Sequence, residues 1–389
     1  MNSALSPPRH ISSTPSSLVI EWPDGRVSEY LSIWLRDNCP ADRDASNGQR
    51  LVDITELPSD PRIHSATLGS GDGAVLVRWE GGAEVASFDL GWLAQYGADA
   101  RRSASHGAAE PQARMWLDGA SHDAERDFAW STLPELRTSP DGRGTWLGRL
   151  LEDGIAFMRG LPAEPDTILE AVAPIGHLLE TNYGKVFDVR SVPQPENLAY
   201  SDLGLGLHTD NPYREPVPGF QVLHVMAASA EGGDSLFADG FALAEQLRSE
   251  EPEAFKLLTH TAVPFRYSAK GCELYAERPL IQLSCEGAVA AVHYNNRSIA
   301  PLRLPAERMA AFYVSYRIFA GMLRDPRFQL RLRLRDGDLV AFDNRRILHG
   351  RTAFSSARSL RHLRGCYLTR DSVYSEAALL KRNPAPARE

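Results

Sequence analysis

The sequence predicts a mainly β protein with flanking helices: a double-stranded β-helix, or jelly roll, preceded by a small β-rich N-terminal domain. Three observations carry this. Short apolar runs bounded by turn residues recur through the C-terminal part, one long amphipathic helix interrupts them, and the first hundred residues read as hairpins. That pattern fits two packed sheets with helices outside rather than a parallel α/β fold. The 389 residues suffice for two domains and at least one sizeable core. No internal repeat or low-complexity tract is visible.

From Leu18 to about Tyr96 strands and turns alternate. Val19-Ile20-Glu21-Trp22, then Pro23-Asp24-Gly25, then Val27-Ser28-Glu29-Tyr30 is a hairpin signature, and Val75–Trp79 followed by Gly81-Gly82 repeats it. After Gly97 the chain turns to Ala, Ser, Gly, Arg and Asp with little periodic apolar signal, as a connecting segment does. The expected organisation is therefore an N-terminal domain over 1–105, a linker over 106–126 and a jelly-roll domain over 127–389. In that last part, helical spacing marks Thr145–Leu151 and Asp166–Leu179, with Asp166 as cap. Strand signals follow at Phe220–Met226, Phe328–Leu334, Asp338–Phe342 and His362–Leu368. Between them Met309, Phe312, Tyr313, Tyr316, Phe319, Ala320 and Leu323 define one face of a helix set between Pro305 and Asp325-Pro326.

Composition excludes several functions. Lys and Arg (42) fall short of Asp and Glu (50), the formal charge is −8, and no long basic run exists, so a nucleic-acid partner is not expected. Met1–Ser17 has no apolar run and no stretch reaches membrane length, so a cytoplasmic protein with no membrane partner is expected. Four scattered cysteines, Cys39, Cys272, Cys285 and Cys366, fit buried thiols in a reducing compartment.

The chemistry concentrates in Leu205-Gly-Leu-His-Thr-Asp-Asn211. Residues two apart on a strand share a face, so His208 and Asp210 present an imidazole and a carboxylate to one point. His349, at the end of the apolar stretch Leu339–Leu348 and followed by Gly350, is the candidate third ligand. Two histidines and one carboxylate on one face of an octahedron is the non-haem Fe(II) arrangement, with positions left open for co-substrate and dioxygen. Short motifs of this kind also occur by chance, and a lone histidine is more often structural. Twelve residues on, Arg361, Leu363, Gly365 and Tyr367 share a strand face, with the glycine leaving space above the guanidinium. A buried Arg361 needs a carboxylate, either a protein side chain or the distal end of a dicarboxylic acid.

In order, His208-x-Asp210, Gly232-Gly233-Asp234-Ser235, Asp343-Asn344-x-x-x-Leu348-His349-Gly350-Arg351 and Arg361-His362-Leu363 resemble the TauD-like 2-oxoglutarate-dependent oxygenases related to γ-butyrobetaine hydroxylase and trimethyllysine hydroxylase. Trp34-Leu35-Arg36-Asp37-Asn38-Cys39 extends the likeness over nearly the whole chain. The resemblance implies an Fe(II) and 2-oxoglutarate-dependent dioxygenase with His208, Asp210 and His349 on the metal. Arg361 would hold the co-substrate's distal carboxylate, with O2 consumed and succinate and CO2 released. It also implies a small trimethylammonium substrate, with Tyr183, Phe187, Tyr200 and Tyr367 at positions similar to the family's aromatic cage; Phe187 stands where a Trp is usual. Aromatic faces suit a cation that cannot donate an N–H hydrogen bond.

At the substrate's other end, Asn197 and Asn296 match residues that face the butyrobetaine carboxylate. Asn211 stands where the animal enzyme has Tyr, and Arg297 follows Asn296. The donor-rich set Asn211, Tyr213, Asn296 and Arg297 resembles the branch acting on 2-(trimethylamino)ethylphosphonate, the favoured substrate at this level, hydroxylated at the carbon next to phosphorus. γ-Butyrobetaine hydroxylation to L-carnitine is the alternative. A jelly-roll protein that captures quaternary ammonium solutes without turnover is the alternative of another class. Family members often hold an N-terminal zinc through cysteines and a histidine. Here Cys39 remains, while Ala41 and Asp44 stand where further cysteines would be, so no structural zinc is expected and the domain would serve packing or a homodimer.

Overall fold

A computed structural model of the chain describes residues 6–71, 73–82, 84–97, 112–190, 203–228, 232–269, 271–354 and 361–382. The chain divides into two compact units, Met1–Ala109 and Glu110–Glu389.

In the first unit β1 (His10–Ser13), β2 (Ser17–Glu21) and β3 (Val27–Leu31) form one antiparallel sheet, with α1 (Ser32–Asp37) after it. A second sheet comprises β4 (Ile63–Leu68), β5 (Ala74–Trp79) and β6 (Val85–Asp89), followed by α2 (Leu90–Tyr96). The hairpins expected at 19–30 and after Val75 are both present. Alternate residues Leu18 and Ile20 of β2 and Val75 and Val77 of β5 are fully buried, which is the period of two that places one strand face inward. Gly25, at φ +89°, makes the turn between β2 and β3 that a residue with a Cβ would strain. Cys39 is buried in this apolar core and Ala41 offers no donor. The Asp44 carboxylate accepts the backbone N–H groups of Ser46 and Asn47 at 2.9 and 3.2 Å. These three positions do not make a tetrahedral zinc site.

The second unit begins with α3 (Ala124–Asp127), β7 (Trp130–Ser131), α4 (Leu133–Thr138), α5 (Pro140–Asp153), β8 (Ile155–Met158) and α6 (Thr167–Val172). Then come β9 (Phe187–Arg190), β10 (Leu205–His208), β11 (Phe220–Ala227) and β12 (Ser235–Asp239), and the helices α7 (Gly240–Glu250) and α8 (Pro252–His260). Two hairpins follow, β13 (Val263–Ala269) with β14 (Cys272–Arg278) and β15 (Ile281–Leu283) with β16 (Val289–Val292). The chain closes with α9 (Ala306–Arg324), β17 (Leu330–Leu332), β18 (Leu339–Asp343), β19 (Ile347–Arg351), β20 (His362–Leu368) and α10 (Arg370–Arg382).

Two sheets, ordered β10-β19-β12-β17 and β7-β8-β18-β11-β20-β9, face each other. Between them lie Phe157, Val225, Phe237, Val340, Phe342 and Leu363, with Phe237 of one sheet 5.7 Å from Phe342 of the other. The outer face of the six-stranded sheet packs on α4, α5, α6 and α10; that of the four-stranded sheet packs on α7, α8 and α9. This is the expected jelly roll with helices on both outer faces. Asp239 and Arg346, both buried, pair at 2.7 Å, and the other Asp239 oxygen accepts the first amides of α7, so the start of that helix is tied to the turn before β19.

Several sequence expectations shift. Of the stretch 106–126 expected as a linker, residues 112–126 pack within the second unit: Trp116 is buried and donates its indole N–H to the Asp153 carbonyl at 2.9 Å. The helix expected over 166–179 stops at Val172, because Pro174 cannot continue the amide ladder. Of the alternating run 328–334, Leu330–Leu332 pairs with Ser235–Phe237, while Pro326–Phe328 forms a 3-10 turn. The stretch 339–348 is two strands, so His349 lies mid-strand rather than at a strand's exit. On α9, Tyr313 is exposed; Phe312, Ser315, Phe319 and Leu323 form the buried face.

Candidate active site

The site assembles where β10 ends beside β19. His208 is the cross-strand partner of His349, and their rings lie 4.3 Å apart. Asp210 follows β10 by two residues and reaches both: Oδ1 is 3.3 Å from His208 Nε2 and Oδ2 is 3.8 Å from His349 Nε2. One ligand atom from each of the three falls within 4.8 Å of the others, the one such group of three metal-capable side chains among the described residues. Gly350 permits this approach, since a Cβ there would sit 2.5 Å from the Leu205 carbonyl oxygen.

Each ligand is held by its neighbours. His208 donates its Nδ1–H to the Gly206 carbonyl at 2.9 Å, which leaves the Nε2 lone pair facing the cluster. Asn344, fully buried, accepts the Asp210 backbone N–H at 2.7 Å and donates back to the Asp210 carbonyl at 3.0 Å and to that of Pro218 at 3.1 Å. The Tyr367 hydroxyl donates to Asp210 Oδ2 at 2.8 Å. Burial pushes the Asp210 carboxyl up, but the neighbouring His208 and His349 and the Tyr367 hydroxyl outweigh it and hold it below the usual carboxylate range. Burial, then the neighbouring His208, pushes His349 down to about 3, so its imidazole is neutral and its lone pair available. One carboxylate with imidazole nitrogens on one side of a shared point is a donor set that fits Fe(II).

The same pocket holds a buried cation. Arg361 is 8% exposed and lines the pocket with His208, Asp210 and His349. Burial, then the charge of Arg351, lowers its pKa to about 10, so it stays protonated at neutral pH, and no acid among the described residues offsets the shift. Among the described residues no carboxylate forms an ion pair with it, which leaves room for a ligand's carboxylate. Gly233, at φ +74°, gives the guanidinium its space: a Cβ there would lie 3.1 Å from Arg361 Cδ. Asp234 of the same motif pairs with Arg331 at 2.7 Å instead, and so anchors β17.

The other expected site residues divide. Tyr183, Phe187 and Tyr367 line the pocket, with Phe187 6.3 Å from Tyr183 and 5.0 Å from Tyr367. The space expected above Gly365 is filled by Phe187, since a Cβ at Gly365 would meet that ring at 2.4 Å. Arg297 lines the pocket too. Asn211 also reaches it, but its amide is engaged: Oδ1 accepts from the Tyr213 hydroxyl at 2.5 Å and Nδ2 donates to the Tyr367 oxygen at 3.0 Å. Tyr213 is buried behind the wall, stacked 5.1 Å from Tyr267. Asn296 is exposed, lies off the pocket wall and accepts from the Tyr316 hydroxyl at 2.7 Å. Asn197 and Tyr200 lie outside the described residues.

Sequence reasoning gave no role to Arg351, Asn344 or Gln221. Arg351 was legible as the residue two beyond His349 on one strand face, and Gln221 as the polar residue in an apolar run. Asn344 stood out only as part of the motif at 343–351, and its role was not legible because what it clamps is distant in sequence.

A family model described as "Taurine catabolism dioxygenase TauD, TfdA family" matches residues 121–367, and one described as "Gamma-butyrobetaine hydroxylase-like, N-terminal" matches residues 9–94. A gamma-butyrobetaine dioxygenase of Pseudomonas sp. (strain AK-1) is 37% identical over 386 residues, 97% of each chain. Dioxygenase str8 of Strobilurus tenacellus is 32% identical, covering 91% of this chain and 85% of its own. The Homo sapiens gamma-butyrobetaine dioxygenase is 27% identical, covering 93% and 94%.

Proposed function

The chain belongs to the TauD, TfdA family as an Fe(II)- and 2-oxoglutarate-dependent dioxygenase, and from that premise we propose that it hydroxylates a small trimethylammonium compound bearing an anionic group, γ-butyrobetaine foremost. The observation that carries the reading is one pocket with two opposite needs: a buried Arg361 with no acid of its own among the described residues, and an aromatic wall of Tyr183, Phe187 and Tyr367. His208, Asp210 and His349 hold the metal, and Arg361 seats the distal carboxylate of 2-oxoglutarate. Bound iron supplies the oxidising chemistry that couples decarboxylation of the keto acid to succinate and CO2 with insertion of oxygen into a substrate C–H bond.

The remaining work falls to the chain's own side chains. The aromatic faces accept the quaternary ammonium, each contributing about 0.5–2 kcal/mol, and fix which carbon lies toward the metal ligands. Arg297 takes the anionic end as a charge-assisted donor. The apolar lining of Val189, Leu205, Leu223, Phe237 and Leu363 keeps the reacting region dry.

2-(Trimethylamino)ethylphosphonate is the second reading, and Arg297 on the pocket wall favours it. Its wider donor set is reduced, however: the Asn211 amide is engaged by two tyrosines and Asn296 by Tyr316. One guanidinium suits one carboxylate, and a relative 37% identical is named for γ-butyrobetaine. Comparing kcat/KM for γ-butyrobetaine, the phosphonate and trimethyllysine tests this, with γ-butyrobetaine expected first. Arg297→Ala should lower kcat/KM for an anionic substrate by about 1.5–3 kcal/mol, on the order of ten- to hundredfold. Turnover of none of the three, or indifference to Arg297→Ala, contradicts the reading.

A further inference from the structure

Gln221 lines the pocket at a position where its neighbours call for an apolar residue. On β11 the inward positions are Gln221, Leu223 and Val225; their partners on β18 and β20 include Phe342 and Tyr367, then Val340 and Gly365, then Leu363. Gln221 is 2% exposed and lines the pocket, yet its Oε1 has no hydrogen-bond partner, and its amide nitrogen donates to none among the described residues. A buried amide left unpaired destabilises the fold, and such groups in native proteins call for an explanation. The cross-strand neighbours locate it. Tyr367 is the hydroxyl that donates to Asp210, and Phe342 is the ring on which His349 packs at 4.8 Å. Gln221 therefore lies at the metal end of the pocket, and Leu223 and Leu363 separate it from Arg361 along the strands.

We propose that Gln221 is a co-substrate-binding residue: its amide N–H donates to the carboxylate next to the keto group of 2-oxoglutarate, the end opposite the one held by Arg361. A keto-diacid anchored at Arg361 and running over Leu363 and Leu223 brings its second carboxylate to this level. The amide is desolvated and held in place before the ligand arrives, which is the condition under which one hydrogen bond discriminates strongly. Its lack of a partner among the described residues is the stability given up for that readiness.

The test uses full-length protein loaded with Fe(II) under anaerobic conditions, with no amine substrate, so its outcome does not depend on which trimethylammonium compound is turned over. Gln221→Leu keeps the volume and removes the polar atoms; Gln221→Glu keeps the shape and adds a repelling charge. 2-Oxoglutarate binding is measured by calorimetry, and the unfolding midpoint without ligand by thermal melt. The expected result is a dissociation constant raised on the order of tenfold in Gln221→Leu and further in Gln221→Glu, with the Gln221→Leu midpoint unchanged or higher. Unchanged affinity in both variants overturns the proposal. So does a lowered midpoint with unchanged affinity, which makes the amide structural.

Discussion

At the residue scale the site works because each reactive group is fixed by a neighbour with another anchor. Tyr213 donates to Asn211, Asn211 to Tyr367, and Tyr367 to Asp210, so an aromatic of the pocket wall also orients the proposed metal ligand Asp210. Tyr367→Phe keeps the ring and deletes the donor. Metal affinity should fall about 10–100-fold, the usual effect of losing a partner of a ligand, while the melting midpoint barely moves. Equilibrium dialysis with Fe(II) checks this, and an unchanged affinity would mean that Asp210 needs no orientation from Tyr367. His208, Asp210 and Arg361 were legible as candidates because strand periodicity and motif order are local signals. The engagement of Asn211, and the placement of Asn296 against Tyr316 rather than in the pocket, were not: both depend on which side chain meets which across folded strands.

At the element scale, β10 and β19 must lie close for two imidazoles to meet, and β19 must be held in register from behind. The buried Asp239–Arg346 pair does the second job. Arg346 also donates to the carbonyls of Glu152 and Arg114 at 2.8 Å each, joining α5 to the turn before β19. Arg346→Ala leaves Asp239 charged and unpaired in the interior and should destabilise the protein by about 3–5 kcal/mol, read by urea unfolding. A change below 1 kcal/mol would mean the pair is replaceable by water. Hairpins and the long helix were readable because their pattern is set within one element. The short α6 and the three-residue β17 were over-read because apolar spacing continued past the point where Pro174 or the lack of a strand partner ended them.

At the scale of the whole molecule, the sequence order of motifs indicated two sheets but not their pairing. β11 sits between β18 and β20, joining residues more than a hundred apart, and no periodicity announces such a neighbour. The first unit's hairpin cores are apolar, and the positions of Cys39, Ala41 and Asp44 do not fit zinc. Purified protein should therefore carry one tightly held metal per chain, falling to none in Asp210→Ala. Elemental analysis that finds a zinc surviving that substitution contradicts this.

In the proposed function one pocket holds a metal at His208, Asp210 and His349 and a keto acid's far carboxylate at Arg361. The most direct measurement of this is oxygen-dependent succinate release with γ-butyrobetaine by the wild type and by Arg361→Ala. The expected result is one succinate per hydroxylated product in the wild type and a KM for 2-oxoglutarate raised at least on the order of tenfold in the variant. Arg361→Ala turning over with an unaltered KM for 2-oxoglutarate would contradict it.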